Sequence, residues 1–374
     1  MSSRLIESTF EADAMGLSLP GLSRSPAPAL LGVDLSTHRV KVVELAPEGR
    51  DRLRLERYAI EPIEPGAIVD GQIEKPEAVA AALSRAIVRS GSKARNAALA
   101  LPSSAVIAKR ILLPAGLSDE DYEVQVESEA SQYIPFAMDE VNLDFQVLGP
   151  AEGSSEDVEV LLAASRRERV EDRVALAEMA GLKPMVIDVE PFAARRVIDR
   201  ICTFLPDQGA GQVLAVFDMG HANTSLMVLL DGKTVFEREQ PFGGELLTQE
   251  IARHFGLSLE EAEARKRAAD LPESYGDDVL APFLEQAASE VARAIQLLTT
   301  STPHNHVDRI FLAGGVAVTA GLAEAVADRT QVATEILSPF QGMALSDASR
   351  RKNLEQDAPA LMVACGLAMR RFNP

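Results

Sequence analysis

Leu31-Gly32-Val33-Asp34-Leu35-Ser36, close to the start of the chain, is echoed about 180 residues later by Val216-Phe217-Asp218-Met219-Gly220. In each copy an apolar strand delivers an Asp, a turn of small or polar residues follows, and a second apolar strand returns, over residues 30–45 in the first copy and 214–230 in the second. A unit that recurs at about domain spacing marks an internal repeat. Small residues let a tight turn point successive backbone N–H groups inward, and such a nest binds phosphate oxygens. An Asp at the strand end suits Mg²⁺, which keeps much of its hydration shell and is held through its waters. One copy alone is a hairpin with an edge Asp. Two copies, each opening one half of the chain, predict a polyphosphate gripped from both sides.

Other residues suit the same cleft. Gly243 and Gly244 stand between a strand over 234–239 and a helix over 245–255, where free N–H groups face an anion. Gly314 and Gly315 follow a strand over 309–313 and let backbone approach a flat ring or a phosphate. Lys41 would project beside the first turn as a positive charge. Glu263 and Lys266 share one face of a helix over 259–269, and by pattern alone they make a solvated ion pair. His304 and His306 flank Asn305 without a third ligand and read as loop residues. A G-x-x-x-x-G-K-[ST] loop and a strand-linked G-x-G-x-x-G are both missing, so neither a P-loop nor a Rossmann-type fold is supported. The remaining pattern is mixed α/β. Helices are expected over 77–89, 118–133, 166–180, 279–300 and 358–371, with another after Pro191. The Pro/Gly-rich stretch at 206–211 is the clearest break between halves.

A length of 374 residues suits two domains, and 47% apolar with 25% charged residues is ordinary globular composition. Lys plus Arg number 37 and Asp plus Glu 56, a formal charge of −19 that repels nucleic acid and anionic lipid. Aromatics at 5% and no Trp argue against a base-stacking platform. Cys202 and Cys365 lie in apolar helical stretches and suit a reducing compartment. No run reaches the ~18 apolar residues of a membrane span. Glu7, Glu11 and Asp13 stand where a signal peptide would need a positive region and an apolar core. A cytoplasmic protein, held at any membrane by protein partners only, is the expectation.

These residues resemble the actin-like ATPase superfamily, which includes heat-shock chaperone ATPases, sugar kinases and the cell-division protein FtsA. Asp34, Ser36, Thr37 and Lys41 resemble the first phosphate motif, and Asp218, Gly220, Asn223 and Thr224 the second. Phe311-Leu312-Ala313-Gly314-Gly315 is similar to the adenosine motif, with Glu263 and Lys266 matching the Glu and Lys that contact the nucleoside. Glu190-Pro191 is similar to the connecting segment whose Glu positions the attacking water. The resemblance implies ATP with Mg²⁺ held by Asp34, Asp218 and the Gly243–Gly244 and Gly314–Gly315 turns, with Glu190 as the catalytic residue. Ser36 stands where the general motif has Gly; its side chain offers a donor but restricts φ, so slow or absent hydrolysis is expected.

Stretches outside those motifs, Pro65 to Gly71, Glu127 to Phe136 with Glu140 to Phe145, Glu237 to Gly244 and Pro359 to Arg370, resemble the PilM family of type IV pilus assembly proteins. That resemblance implies an actin-like fold of two related halves with an FtsA-like inserted small subdomain. The expected division is a flexible lead over 1–28, a first half over 29–94 and 166–208 interrupted by the insert over 95–165, and a second half over 209–240 and 303–350 carrying a helical subdomain over 241–302. A closing helix within 351–374 returns to the first half. It also implies a scaffold, peripheral at the inner membrane, that binds the cytoplasmic N-terminal peptide of a PilN-like membrane protein and meets other pilus components, including the assembly motor ATPase. Self-association is left open. Tyr133, Ile134 and Phe136, where a helix breaks at Pro135, are the candidate peptide contacts; packing of the small subdomain is the equal alternative. An FtsA-like anchor would need an amphipathic helix after the closing helix, whereas the chain stops at Pro374. A small-molecule kinase of the same fold would need a substrate pocket with a catalytic Asp and would lack the insert.

Overall fold

The computed structural model describes residues 28–49, 52–151, 153–350 and 353–372, so the expected lead lies outside it except for Pro28. The chain forms two compact units. The first runs to Arg196 and takes in Gly342–Arg350 and the chain from Val363; the second comprises Val197–Gln341 and Arg351–Met362.

In the first unit, β1 (Leu30–Leu35), β2 (Arg39–Glu48) and β3 (Arg52–Pro62) form an antiparallel meander. All six residues of β1 are buried, as expected of a central strand covered on both faces. A tight hairpin follows, β4 (Ile68–Val69) and β5 (Gln72–Ile73). Helix α1 (Pro76–Ser90) starts on a proline, whose missing N–H costs nothing there, and ends at Gly91 with φ 70°. Strand β6 (Asn96–Leu101) pairs parallel with β1. Next come β7 (Val106–Pro114), α2 (Asp119–Ala130), β8 (Val141–Pro150) and β9 (Asp157–Arg166). Ser118 caps α2 by accepting from the Asp121 N–H, as its spacing predicts. Helix α3 (Arg167–Met179) leads to β10 (Lys183–Val189), parallel to β6, and α4 (Glu190–Cys202) follows directly.

Strands β7, β9 and β8 make a separate sheet, in that order, covered on one face by α2. Ile111, Leu113, Tyr122, Val126, Val160 and Leu162 form its own apolar core. This sheet falls within the expected insert, whereas the first residues assigned to that insert do not belong to it. Asn96–Leu101 belongs to the main sheet, because the alternation-free run Ala97-Ala98-Leu99-Ala100-Leu101 is buried between β1 and β10.

In the second unit, β11 (Leu214–Met219), β12 (Thr224–Leu230) and β13 (Lys233–Gln240) form a second meander. Helices α5 (Gly244–Phe255), α6 (Leu259–Ala268) and α7 (Ala281–Ser301) follow. Then come β14 (Arg309–Ala313), α8 (Leu322–Thr330) and β15 (Ala333–Ile336). The expected capping box of α6 forms in full between Ser258 and Glu261. The sheet order is β13-β12-β11-β14-β15, with β14 and β15 parallel to β11. Along the first unit's sheet the order is β3-β2-β1-β6-β10. The echo at the two Asp-bearing strands is thus one row of a repeat of the whole five-strand pattern.

The chain then returns. Strand β16 (Ala344–Leu345) pairs parallel with β3, so Gly342–Arg350 belongs to the first unit and not to the second half as expected. After α9 (Leu354–Asp357) and a 3₁₀ turn, α10 (Met362–Met369) packs in the first unit. The division between units falls within α4, ahead of the 206–211 break. A continuous helix carries the chain from one unit to the next, and the Pro/Gly turns only start the following strand.

Candidate functional site

The β1–β2 turn is closed by Ser36, whose N–H donates to the Arg39 carbonyl at 3.0 Å. Its hydroxyl donates to the same carbonyl at 3.1 Å and accepts from the Arg39 N–H at 3.2 Å. Ser36 is not among the described residues with positive φ, so the restriction expected from replacing Gly does not arise. Thr37 sits half-buried in the same turn. Asp34, 4% exposed, accepts from Lys41 Nζ at 2.9 Å across the β1–β2 pair. The two residues are register partners, so their side chains share a face. Lys41 supplies the charge that a buried carboxylate needs.

At the end of β10, Asp188 is fully buried and accepts from Arg370 Nε at 2.7 Å, with Arg370 4% exposed. Two residues on, Glu190 opens α4, half-buried. The Asp188–Arg370 pair was not legible: its partners are 182 positions apart and sit in segments that read as a plain strand and a plain helix.

In the second unit, the β11–β12 turn is a small backbone cage. Gly220 N–H donates to the Asn223 carbonyl at 2.9 Å, Gly244 N–H to the Gly220 carbonyl at 3.0 Å, and Glu245 N–H to the His221 carbonyl at 2.8 Å. The turn and the N-terminus of α5 are thereby one structure. Gly243 is fitted against it so closely that a Cβ there would lie 2.3 Å from the His221 oxygen. Asp218, half-buried, ends β11 beside Gly314. Gly314 has φ +85°, and a Cβ there would lie 2.6 Å from Asp218 Oδ1 and 2.3 Å from the Met219 oxygen. Only glycine meets both demands. Gly315 is open on its Cβ side.

Not every expected group is displayed. The Thr224 hydroxyl, 1% exposed, donates to the Phe242 carbonyl at 2.6 Å, and Asn223 Nδ2 donates to Glu239 at 2.6 Å. Both hold the turn in shape. Glu263 and Lys266 do meet, at 2.6 Å, and are largely buried rather than solvated. Thr248 joins them: Lys266 Nζ donates to its hydroxyl at 2.6 Å, and that hydroxyl lies 2.8 Å from Glu263 and 3.1 Å from the Gly244 carbonyl. The sequence reading missed Thr248. Its position one helical turn after Gly244 was the available signal.

In the first unit a groove of about 380 Å³ runs beside the small subdomain. One wall is Asp70, Gly71 and Gln72 at the β4–β5 tip; another is Ile134, Pro135 and Phe136. Ile134 is 6% exposed and belongs to the small subdomain's core, so it is a packing residue first. Phe136 is half-buried, with the Arg166 guanidinium 4.2 Å above its ring. Tyr133 is 39% exposed under Lys109 Nζ and does not line the groove.

Comparison with known proteins decides among the readings. The sequence profile of the family "Type IV pilus assembly protein PilM" matches residues 32–372. The chain belongs to the PilM family. Its role accordingly lies in type IV pilus assembly. The solved structure of the PilM-PilN type IV pilus biogenesis complex matches with TM-score 0.76 and 30% identity, over 94% of this chain and all of that one. The cell division protein FtsA of Bacillus subtilis (strain 168) is 24% identical over 66% of this chain. The ethanolamine utilization protein EutJ of Escherichia coli (strain K12) is 27% identical over 40%. The chain spans 59% and 47% of the lengths of these two relatives. The architecture is the actin-like ATPase fold. Among the described residues no helix is long and apolar enough to cross a membrane, and no cluster of three or more His, Cys, Asp or Glu is arranged to hold a metal.

Proposed function

We propose that the chain is a nucleotide-binding scaffold of the pilus machine that takes the cytoplasmic N-terminal peptide of a PilN-like membrane protein into the groove beside the small subdomain. The observation that carries this reading is the groove itself. Its walls at Asp70–Gly71 and Ile134–Phe136 fall in two of the stretches, residues 65–71 and 127–136, whose sequence resembles the PilM family. An extended peptide fits such a channel through alternate apolar side chains, with Ile107, Phe136 and Val141 as its apolar lining. Binding of this kind holds the scaffold at the cytoplasmic face of the inner membrane.

Mg·ATP is the proposed ligand of the two Asp-bearing turns. The residues fit it: Asp34 is a buried carboxylate already matched to a cation, and Gly314 leaves the space beside Asp218 that any side chain would fill. Lys266 and Glu263 would meet the nucleoside. Glu190, at the start of α4, would orient water, and slow turnover is part of this reading.

The test is binding of a synthetic PilN-like N-terminal peptide to Phe136→Ala, measured beside the variant's thermal melt. Lost binding with an unchanged melt is expected. Unchanged binding with a much lower melt would make Phe136 a core residue and remove this groove as the site.

A further inference from the structure

Arg173 is a buried charge for which the nucleotide and peptide readings give no role. It lies on α3, 3% exposed. Its Nη2 donates to the Gly71 carbonyl at 2.9 Å and its Nε to the Ala100 carbonyl at 3.3 Å. Burying a guanidinium is costly, and carbonyl dipoles offset only part of that cost.

The two carbonyls are telling. Gly71 is the tip of the β4–β5 hairpin. Asp70 and Gly71 have φ 49° and 75°, the paired left-handed residues of a type I′ turn. The hairpin is only two residue pairs long, too short to hold itself. Its tip is pressed onto Pro102, whose Cγ lies 2.6 Å from the place of a Gly71 Cβ. That tip is a wall of the groove. Ala100, the other acceptor, is the register partner of Asp188 on β10, two residues before Glu190. Burial lowers the Arg173 pKa, and the Glu190 carboxylate is the largest charge opposing that shift, ahead of Asp172.

We infer that Arg173 is a positioning residue that fixes the groove wall at Asp70–Gln72 from the end of the main sheet. The peptide part of this inference rests on the proposed groove; the placing of the hairpin does not.

The experiment separates the two. Amide hydrogen exchange is followed at Gln72, Ile73 and Glu74 in the full chain, with peptide affinity measured in parallel on the same variants. Arg173→Gln should raise exchange at these amides at least tenfold relative to β6, and Arg173→Lys should restore part of the protection. Arg173→Gln should also weaken the PilN-like peptide severalfold, and Arg173→Lys should recover part of that affinity. Exchange within twofold of wild type in Arg173→Gln, or full wild-type protection in Arg173→Lys where Arg173→Gln fails to fold, overturns the role of Arg173. If wild type binds no peptide, the groove reading falls, and the exchange arm alone then confirms or overturns the role of Arg173.

Discussion

Asp34 and Asp218 are equivalent by position in the repeat but not by environment. Asp34 is buried and paired with Lys41, whereas Asp218 is half-buried against the Gly314 turn. A hydrated Mg²⁺ beside Asp34 would act on a carboxylate whose charge is already shared with Lys41. Asp34→Ala and Asp218→Ala should each weaken Mg·ATP binding tenfold to a hundredfold, about 1.5–3 kcal/mol in calorimetry. Unchanged affinity in both would remove the two-turn site. Asp188 and Arg370 present the opposite case, a buried pair with no ligand to meet. Removing one partner strands a charge in the core, so Arg370→Met should cost about 3–5 kcal/mol in urea unfolding. A loss below about 1 kcal/mol would mean that water reaches Asp188.

At the scale of elements, α10 is placed by contacts with backbone rather than by large side chains. A Cβ on Gly366 would lie 1.8 Å from the Ala193 oxygen, and one on Gly32 would lie 2.1 Å from the Ala364 oxygen. Helix α10 is therefore seated directly on α4 and β1, the elements that carry Glu190 and Asp34. Gly366→Ala must push α10 outward and should lower stability by about 1–3 kcal/mol, read as a lower melting temperature. A melt within error of wild type would show that α10 shifts freely. Such contacts also set the limit of what was legible. Strand and helix patterns, the Ser118 and Ser258 caps and the repeat were readable because each is written in neighbouring residues. Assigning β6 to the insert failed because an Ala-rich run carries no mark of which sheet will bury it. Thr224 was read as a ligand because its bond to the Phe242 carbonyl depends on a turn geometry 18 residues away. Arg173 was invisible because on a helix as polar as α3 one more arginine reads as solvated.

For the molecule as a whole, charge and site differ in sign. The chain carries a formal charge of −19, yet the charged residues lining the groove are Asp70, Arg166 and Arg169. A field of that sign favours a peptide with a basic end. The groove's own arginines offer such an end no partner beyond Asp70, so its charge should act on approach and little on the seated complex. Long-range attraction is screened over about 8 Å at physiological salt and about 3 Å at 1 M, while a buried apolar anchor is untouched. Raising salt from 0.05 to about 0.5 M should therefore slow association of a PilN-like peptide severalfold and leave dissociation within about twofold. Stopped-flow fluorescence of a labelled peptide reads both rates. A dissociation rate that climbs with salt as steeply as association falls would place the basic end in a tight ion pair inside the complex. Asp70, the sole acidic residue of the lining, would then be the residue to change next.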